Sequence, residues 1–325
     1  MDRLWCMIRH TFNAKPTITE KNLRDLKDNV YIVTGSNAGV GKELAQILYS
    51  RNAKVYLAAR SEEKTLKAIN DIKTTVPNSE GQLVYLHLDL ADLATIKPSA
   101  EEFLRKEKRL NVLFNNAGVG FPAAGSKTKQ GLELQLGVNC VGPFLFTKLL
   151  TPILAETAKT EPEGATRVVW VSSSAVFGVS PVGLTENLDY HRDRSSSEKY
   201  LISKIGNFWH SSEYAKRQRA NGIVSVSLNP GNLRSELWRT QGAFASWFLN
   251  TFILHPTIFG AYTELYAGFS PDISMANTGS FLAPWGRLSN VTKDLTKSIT
   301  PQSQGGTGAS EKFWDWTEGQ IKPYQ

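Results

Sequence analysis

The sequence predicts one α/β domain with a doubly wound, parallel sheet of seven strands and helices on both faces. From Val30 onward, short apolar runs alternate with longer amphipathic segments, a pattern typical of βαβ units. Several runs are apolar throughout, as expected for strands that helices cover on both faces. The seven predicted strands span residues 30–34, 54–58, 83–88, 112–114, 167–171, 224–228 and 280–282.

Length and composition allow one large domain with a full core. The chain has 325 residues, of which 41% are hydrophobic and 21% charged, which is ordinary for a globular protein. We expect a polar lead-in over residues 1–28, the α/β domain over 29–290, and a carboxyl-terminal extension over 291–325 that ends in a helix. The stretch 302–310 is rich in Gly, Ser and Gln and predicts a flexible or tightly turning link.

The charge pattern argues against a nucleic-acid-binding surface. The net charge is +7, but Lys and Arg occur in short groups mixed with Glu, such as Glu213 followed by Lys216 and Arg217. Such groups are typical of solvated helix faces, whereas nucleic-acid binding favours a concentrated basic stripe. The surplus positive charge would instead suit a small polyanionic ligand.

Cysteine use and the amino terminus indicate a cytoplasmic protein. The two cysteines, Cys6 and Cys140, are far apart and have no metal-binding spacing, so neither a disulfide framework nor a zinc site is expected. Charged residues interrupt the first ten positions too early for a signal peptide. No run reaches the ~18 apolar residues of a membrane-spanning helix, so we expect no transmembrane segment.

A glycine-rich turn follows the first predicted strand and opens a helix. Its spacing is Gly-x-x-x-Gly-x-Gly, from Gly35 through Gly39 to Gly41. Glycines let the backbone approach a pyrophosphate closely, and the helix N-terminus offers N–H groups and a partial positive charge. This strand–turn–helix context predicts a Rossmann-type nucleotide site. Its candidate residues are Gly35, Ser36, Asn37, Gly39, Val40 and Gly41.

The residues after the second strand favour NADP(H) over NAD(H). An NAD site usually carries Asp or Glu here for the ribose 2′-hydroxyl, whereas this chain has Arg60, with Lys64 one helical turn later. A guanidinium suits a 2′-phosphate. We therefore take both residues as cofactor-binding candidates, although a surface arginine that opens the next helix would give the same pattern.

Four more motifs follow in a fixed order. They are Asn115-Asn116-Ala117-Gly118 after a strand, Asn139 within a predicted helix, Ser172-Ser173-Ser174 at a strand end, and Tyr200 with Lys204 on a helix. Each alone has an ordinary explanation, because serines cap helices and a mid-helix asparagine can bond to a kinked backbone. Together, after the glycine turn, they resemble the short-chain dehydrogenase/reductase family, and the resemblance covers residues 28–290. The stretches Val-Tyr-Leu-Ala-Ala-Arg and Leu-Phe-Asn-Asn-Ala-Gly-Val look closest to retinol-dehydrogenase-like members and to fungal reductases of lipophilic metabolites.

The chemistry of the Tyr200–Lys204 pair agrees with this resemblance. A phenol has a pKa near 10, and an ammonium one helical turn away favours the phenolate, so Tyr200 is expected to exchange a proton with the substrate oxygen. The resemblance implies that Lys204 also binds the nicotinamide ribose, that Ser173 holds the substrate oxygen, and that Asn139 holds a water linking Lys204 to solvent. The predicted catalytic residues are Asn139, Ser173, Tyr200 and Lys204.

The same resemblance implies further cofactor contacts. Asn116 and the backbone near Gly118 would support the ribose, and Asp89, after the third strand, would support the adenine. The turn Asn229-Pro230-Gly231 after the sixth strand would face the nicotinamide. The remaining cofactor-binding candidates are Ala117, Tyr200, Lys204, Pro230, Gly231, Leu233 and Ser235.

Two segments near the predicted site are candidates for substrate binding. Residues 177–197 form an insertion between the serine and tyrosine motifs, and residues 234–275 form a predicted lid that is rich in aromatic side chains. This apolar surface predicts a lipophilic substrate, although it would also suit a core, a peripheral membrane contact or a dimer contact. The candidate substrate-binding residues are Ser173, Phe177, Tyr200, Leu237 and Trp238.

These observations predict an NADP(H)-dependent oxidoreductase that interconverts a ketone or aldehyde and an alcohol on a lipophilic small molecule. We expect a monomer or homodimer, with no metal and no nucleic-acid partner. Two other functions stay open. One is an NAD-linked alcohol dehydrogenase or double-bond reductase that uses the same site. The other is a catalytically silent NADP(H)-binding sensor or scaffold, against which the intact set of catalytic residues argues.

Overall fold

An eight-stranded sheet lies at the centre of the computed structural model, which describes residues 3–11, 15–234 and 254–325. The strands are β1 (Val30–Thr34), β2 (Lys54–Ala59), β3 (Gln82–His87), β4 (Val112–Asn115), β5 (Arg167–Val171), β6 (Val224–Leu228), β7 (Phe281–Ala283) and β8 (Arg287–Ser289). Their order in the sheet is β3-β2-β1-β4-β5-β6-β7-β8. The first seven pair in parallel, as predicted.

The eighth strand corrects the predicted count of seven. β8 pairs antiparallel with β7, and Ala283 lies opposite Arg287 across the tight turn between them. Each of these two strands has only three residues. A run this short shows no periodicity, so the sequence pattern did not separate β8 from the loop that follows β7.

Helices cover both faces of the sheet and bury its side chains. The described helices are α1 (Arg3–Thr11), α2 (Gly39–Ser50), α3 (Glu62–Thr75), α4 (Leu93–Lys106), α5 (Leu134–Leu136), α6 (Gly142–Ala158), α7 (Ser196–Arg217), α8 (Ile258–Phe269), α9 (Lys293–Ile299) and α10 (Ala309–Ile321). One core layer packs α2, α3 and α8 against the sheet, and the other packs α4, α6 and α7 against it. Every residue of β1, β5 and β6 is buried. Burial on both faces explains the apolar runs 30–33 in β1 and 168–171 in β5, whereas β6 alternates apolar residues with the buried Ser225 and Ser227.

A buried arginine ties the sheet to the end of α8. The guanidinium of Arg167, the first residue of β5, donates hydrogen bonds of 2.8 to 3.0 Å to the carbonyls of Gly164, Ala267, Ser270 and Ile273. These carbonyls include the last turn of α8, which a cation stabilises. Burial lowers the pKa of Arg167 to about 10, so the side chain stays charged at neutral pH.

The amino-terminal lead-in contains a helix that the sequence pattern did not indicate. In α1, Cys6 and His10 are buried, and the guanidinium of Arg3 donates to the carbonyls of Phe177 and Val179 at 3.1 and 2.6 Å. Arg3 also forms an ion pair with Asp294. α1 is therefore docked against the domain by contacts with residues about 170 to 290 positions further along the chain.

The carboxyl-terminal extension turns tightly and closes on the domain. Gly305 and Gly308 both have positive φ, at 80° and 62°, so the 302–310 link is a tight turn, one of the two forms that we expected. α10 follows it, and its Trp314 is buried edge-on against Phe144 of α6, with ring centroids 4.6 Å apart.

Among the described residues, the helical stretch Leu134–Ala158 is long and apolar enough to cross a membrane by length and composition. Its most apolar window is 72% buried inside the molecule, because it packs between the sheet, α4 and α7. Its apolar character is therefore accounted for by the core, and it is weak evidence for a membrane span.

Candidate active site

Two adjacent cavities open at the carboxyl ends of the parallel strands. The strand order reverses between β1 and β4, which is where open α/β sheets bind ligands. The catalytic cavity, of about 410 Å³, is lined by Ser173 and Tyr200, and the nucleotide crevice, of about 440 Å³, is lined by Arg60. Three residues line both cavities, namely Asn116, Gly118 and Val119. A ligand with two ends can therefore reach both.

The glycine turn forms the floor between the cavities. Gly35 has a φ of +67°, which side chains rarely tolerate. At Gly41, a Cβ atom would lie 2.5 Å from the amide nitrogen of Asn116, so only glycine fits at the start of α2. Asn116 in turn donates a 2.8 Å hydrogen bond to the carbonyl of Thr34. No side chain caps the N-terminus of α2, so its first N–H groups point to the end of the sheet where a phosphate would bind.

The structure brings most of the predicted cofactor-binding residues to the two cavities. The predicted residues that line the nucleotide crevice are Gly35, Asn37, Arg60, Asp89, Asn116, Ala117 and Gly118. Those that line the catalytic cavity are Val40, Asn116, Gly118, Tyr200, Lys204, Pro230, Gly231 and Leu233.

Four of the predicted cofactor-binding residues that the structure describes line neither cavity, namely Ser36, Gly39, Gly41 and Lys64. The Ser36 side chain is buried and donates to the carbonyl of Val33 at 2.8 Å, so it holds the turn together. The side chain of Lys64 is exposed on α3 and does not line the crevice. Gly39 has a positive φ at the first position of α2 and shapes the turn. Ser235 lies outside the described residues.

The crevice also has lining residues that the motifs did not single out. Leu90, Ala91, Leu134 and Val138 complete its wall. Asp89 accepts a hydrogen bond from the backbone N–H of Ala91 at 2.9 Å, so its carboxylate fixes the turn after β3. An apolar wall of this kind suits the flat face of a base. Sequence position would have identified these wall residues, because Leu90 and Ala91 follow β3, whereas Leu134 and Val138 lie in or directly after α5.

Helix α7 presents the tyrosine and the lysine to the catalytic cavity. Its N-terminus is fixed by a capping box in which the Ser195 hydroxyl accepts from the N–H of Glu198 and the Glu198 carboxylate accepts from the N–H of Ser195. Tyr200 and Lys204 lie one turn apart on the helix face that lines the cavity. The Lys204 Nζ lies 5.7 Å from the centre of the Tyr200 ring.

Burial acts on both side chains of this pair. It lowers the pKa of Lys204 to about 8, and it raises the pKa of Tyr200, while the Ser173 hydroxyl opposes the rise by hydrogen bonding to the phenol. We had expected the ammonium to favour the phenolate of Tyr200. In this structure, the desolvation of the phenol is the dominant effect, and Lys204 donates instead to the carbonyl of Val171 at 3.1 Å.

The three serines after β5 have separate surroundings. Ser172 donates to the backbone carbonyl of Lys204 at 2.7 Å and so ties β5 to α7. Ser173 lies in the cavity, and its hydroxyl accepts from the N–H of Ala175 at 3.1 Å. Ser174 also lines the cavity. The Ser173 hydroxyl also forms a hydrogen bond with the Tyr200 phenol, which lowers the pKa of Tyr200. This agrees with the predicted role of Ser173 beside the substrate oxygen.

Asn139 lies in a π-helical turn, Gly137–Val141, between α5 and α6. Its amide accepts from the N–H of Val119 at 2.7 Å and donates to the Val119 carbonyl and the Ser203 hydroxyl, each at 2.9 Å. Asn139 thereby fixes Val119 in the wall that the two cavities share. Turns of this kind often occur at functional sites. Its predicted role in holding a water beside Lys204 stays a prediction.

The turn after β6 faces the same cavity. Pro230 and Gly231 line it, and the Trp285 ring packs so closely on Gly231 that a Cβ there would lie 2.5 Å from the ring. Leu233 pairs with His255 in an isolated parallel bridge. The turn is thus held between the strand end and an aromatic side chain.

The substrate side of the cavity differs from the prediction at Phe177. That ring is buried, with its centroid 5.0 Å from the His10 ring and 5.9 Å from the Phe281 ring, and it does not line the cavity. Phe177 is the last residue of a short 3-10 helix, Ser174–Phe177, and its side chain packs in the core between α1 and β7. Leu237 and Trp238, predicted on the lid, lie outside the described residues. Of the lid segment 234–275, residues 258–269 form α8, which packs in the core.

Three apolar side chains line the substrate side without having been singled out in the sequence. They are Met7, Phe121 and Leu201. The Phe121 ring lies 5.2 Å from the Tyr200 ring, at a backbone φ of +51°. Phe121 could have been found by its place three residues after the Asn-Asn-Ala-Gly motif, and Leu201 by its place beside Tyr200. Met7 lies 108 positions before the first residue of that motif, Asn115, and carried no signal in the sequence.

Across residues 3–11, 15–234 and 254–325, no group of three or more His, Cys, Asp or Glu side chains is arranged to hold a metal ion. Both cysteines, Cys6 and Cys140, are buried. Burial raises the pKa of Cys140, whose Sγ donates to the carbonyl of Ser203 at 3.0 Å. Cys140 therefore acts as a packing residue beneath α7.

Comparisons with known proteins agree with this geometry. The family model of the short chain dehydrogenases matches residues 29–184. A short-chain dehydrogenase/reductase from the fungus Phomopsis amygdali is 54% identical over 318 residues, which cover 96% of this chain and 95% of that protein.

Solved structures share the fold. The NADPH-bound carbonyl reductase from chicken fatty liver has a TM-score of 0.62 at 20% identity, over 84% of this chain and 97% of that one. The 3-ketoacyl-(acyl-carrier-protein) reductase from Brucella melitensis, complexed with NADH, has a TM-score of 0.60 at 22% identity, over 79% and 96%. The motifs, the sheet order and the 54% identity together establish that the chain belongs to the short-chain dehydrogenase/reductase family, whose oxidoreductases bind a nicotinamide cofactor.

Proposed function

We propose that the protein is an NADP(H)-dependent reductase that interconverts a ketone or aldehyde and an alcohol on a lipophilic small molecule. The observation that carries this proposal is the pair of adjacent cavities, which share the lining residues Asn116, Gly118 and Val119. One holds Ser173, Tyr200 and Lys204 together, and the other ends at Arg60. A dinucleotide that spans the two would place its nicotinamide beside Tyr200 and its adenosine beside Arg60.

The residues present fit such a cofactor. A Cβ at Gly39 would meet nothing within 4 Å, so there is open space for a pyrophosphate beside the N-terminus of α2. Arg60 follows β2 at the outer end of the crevice, where a ribose 2′-phosphate would accept its planar fork of N–H donors. The crevice offers no carboxylate at this position, and Asp89 is bonded to its own turn. This favours NADP(H), and the fold neighbour complexed with NADH is the reason to test NAD(H) alongside it.

The proton step belongs to the side chains of this chain. When bound, the reduced cofactor supplies the hydride for the carbonyl carbon. The Tyr200 hydroxyl donates its proton to the developing alkoxide, and the Ser173 hydroxyl donates a hydrogen bond to the same oxygen. Lys204, held by the Val171 carbonyl, provides the positive charge that stabilises the Tyr200 phenolate left behind. The reverse sequence oxidises an alcohol.

The lining of the catalytic cavity favours an apolar substrate. The side chains of Val119, Phe121, Leu201 and Leu233 surround the polar trio, and most of the exposed lining surface is apolar. A cavity of about 410 Å³ matches a small organic molecule. A few fixed polar groups in an apolar wall orient a substrate through its single carbonyl or hydroxyl.

The first experiment measures cofactor preference. The purified protein is titrated with NADPH and with NADH, and binding is followed by the fluorescence of the cofactor. We expect NADPH to bind at least about tenfold more tightly, which is about 1.4 kcal/mol, and the Arg60→Asp variant to lose this preference. The Lys64→Asp variant is the matched control, because Lys64 is exposed and lies outside the crevice. Equal binding of the two cofactors by the wild type would point to an NAD-linked alcohol dehydrogenase.

The second experiment separates a reductase from a silent cofactor-binding protein. Oxidation of NADPH is measured with a set of apolar ketones and aldehydes, for the wild type and for Tyr200→Phe. We expect the variant to bind NADPH as well as the wild type does and to lose about 10²- to 10⁴-fold in turnover, the usual contribution of a proton donor. A wild type that binds NADPH without turnover of any carbonyl would support the sensor.

A further inference from the structure

We propose that the amino-terminal helix α1 is part of the substrate-binding wall and that Met7 contacts the substrate and limits its size. This inference rests on the proposed function, because it concerns the substrate side of the same cavity. Met7 lines the catalytic cavity together with Ser173, Tyr200 and Leu201. Among the lining residues that the structure describes, Met7 alone precedes the α/β domain, whose first strand begins at Val30.

Two sets of contacts fix the position of Met7. Four residues before it, Arg3 donates to the carbonyls of Phe177 and Val179 and pairs with Asp294. Three residues after it, the His10 ring is buried against Phe177. Residues 3, 7 and 10 lie on one face of a helix, so the anchors on both sides hold Met7 toward the cavity.

A chain of hydrogen bonds also links α1 to the turn that would face the nicotinamide. The side-chain oxygen Oδ1 of Asn229 accepts from the N–H of Gly231 at 3.1 Å. The Nδ2 of the same amide is therefore the atom that donates to the Nδ1 of His10, at 3.2 Å. The Nε2 of His10 then carries the proton and donates to the Ser289 hydroxyl at 2.8 Å. The ring must be neutral for this arrangement, and burial, with Arg287 and Arg9 nearby, lowers its pKa to about 4.

The side chain suits such a role. Met7 is 44% exposed and lines the cavity, so its side chain is only partly covered by the protein. An unbranched thioether adapts to apolar ligands of different shape. The Phe121 ring stacks beside Tyr200 in the same cavity. Met7 and Phe121 are thus two apolar contacts, from distant parts of the sequence, for the body of a substrate whose carbonyl lies at Tyr200.

The test compares Met7→Ala and Met7→Trp with Ile8→Ala. Ile8 is the matched control because it lies on the same helix, is exposed to a similar degree, at 39%, and does not line the cavity. For each protein, kcat/KM with NADPH is measured for acetophenone and for the bulkier acetonaphthone. Circular dichroism and the Kd for NADPH verify that the fold and the cofactor site are intact.

We expect Met7→Ala to change the ratio of the two kcat/KM values in favour of the bulkier ketone by about tenfold, and Met7→Trp to change it in the opposite direction. Ile8→Ala should stay within about twofold of the wild type, as surface substitutions usually do. The inference is overturned if all three variants keep the wild-type ratio, or if Ile8→Ala changes it as much as Met7→Ala does.

The same variants separate this inference from the proposed function. If the wild type reduces neither ketone, the Kd of each ketone for the NADPH complex is measured by calorimetry. A wild type that binds the ketones without reducing them contradicts the reductase, and the ratio of Kd values then decides the role of Met7. A wild type that reduces them, with a ratio insensitive to Met7, contradicts the role of α1 alone. Failure to bind either ketone overturns the inference.

Discussion

The ammonium of Lys204 lies 5.7 Å from the centre of the Tyr200 ring and 3.1 Å from the carbonyl oxygen of Val171. The lysine is therefore held at the end of β5, between the strand and the helix that carries both residues. Its charge is buried, and a backbone carbonyl is its hydrogen-bond acceptor. The position of this charge decides how the phenol of Tyr200 can give up and regain its proton.

The pH dependence of turnover should report the proton on Lys204. Burial lowers the pKa of this ammonium to about 8, so the charged form, which stabilises the phenolate, is lost as the pH rises through that value. We expect kcat/KM for ketone reduction to be constant below pH 8 and to fall above it. Lys204→Met should lose at least about 10²-fold in kcat/KM and show no fall near pH 8. The same fall in the variant would assign it to another group.

A buried carboxyl in α8 should make stability depend on pH. Both carboxyl oxygens of Glu264 are buried without a hydrogen-bond partner among the described residues, and burial raises the pKa to about 8. The unfolded chain has a carboxyl pKa near 4.5. Between these values the unfolded state binds fewer protons than the folded state, so the free energy of unfolding falls as the pH rises from 4.5 to 8.

The isosteric change Glu264→Gln should remove that dependence. We expect it to raise the free energy of unfolding by on the order of 3 kcal/mol at pH 7 relative to the wild type. Near pH 4.5 the two proteins should differ little. Urea unfolding at several pH values measures the difference. A difference between the two proteins that stays constant from pH 4.5 to 8 would contradict an ionisation at Glu264.

Arg167 should be one of the most sensitive positions for stability outside the site. Arg167→Met removes the guanidinium donor from four buried carbonyls. The Ser270 carbonyl keeps the N–H of Ile273, and each buried acceptor that is left unsatisfied costs about 1–3 kcal/mol. We expect a loss of at least about 3 kcal/mol in the free energy of unfolding. Lys159→Met is the control, because Lys159 is 66% exposed and pairs with Glu156, which is 67% exposed. Such a surface pair is worth about 1 kcal/mol or less. Equal losses for the two variants in denaturant unfolding would refute the role of Arg167.

The sequence by itself determined the sheet, the glycine turn and the family of this protein. These features leave local marks: β1 and β5 contain apolar runs because helices bury both of their faces, and Gly35 is a glycine because its φ is +67°. Each constraint leaves its mark within a few neighbouring positions. The order of the motifs along the chain then identified the site residues on α7 and β5.

Only the tertiary structure decided which apolar residues face the substrate. Phe177 was expected in the cavity and packs against His10 in the core, whereas Met7, in the lead-in, lines the cavity. The surroundings of Lys204 and Tyr200 were decided in the same way, since burial dominates the pKa of each. The physical reason is that burial and contact depend on residues far apart in the chain. Periodicity tells which face of an element is apolar, and it does not tell which distant element will cover that face.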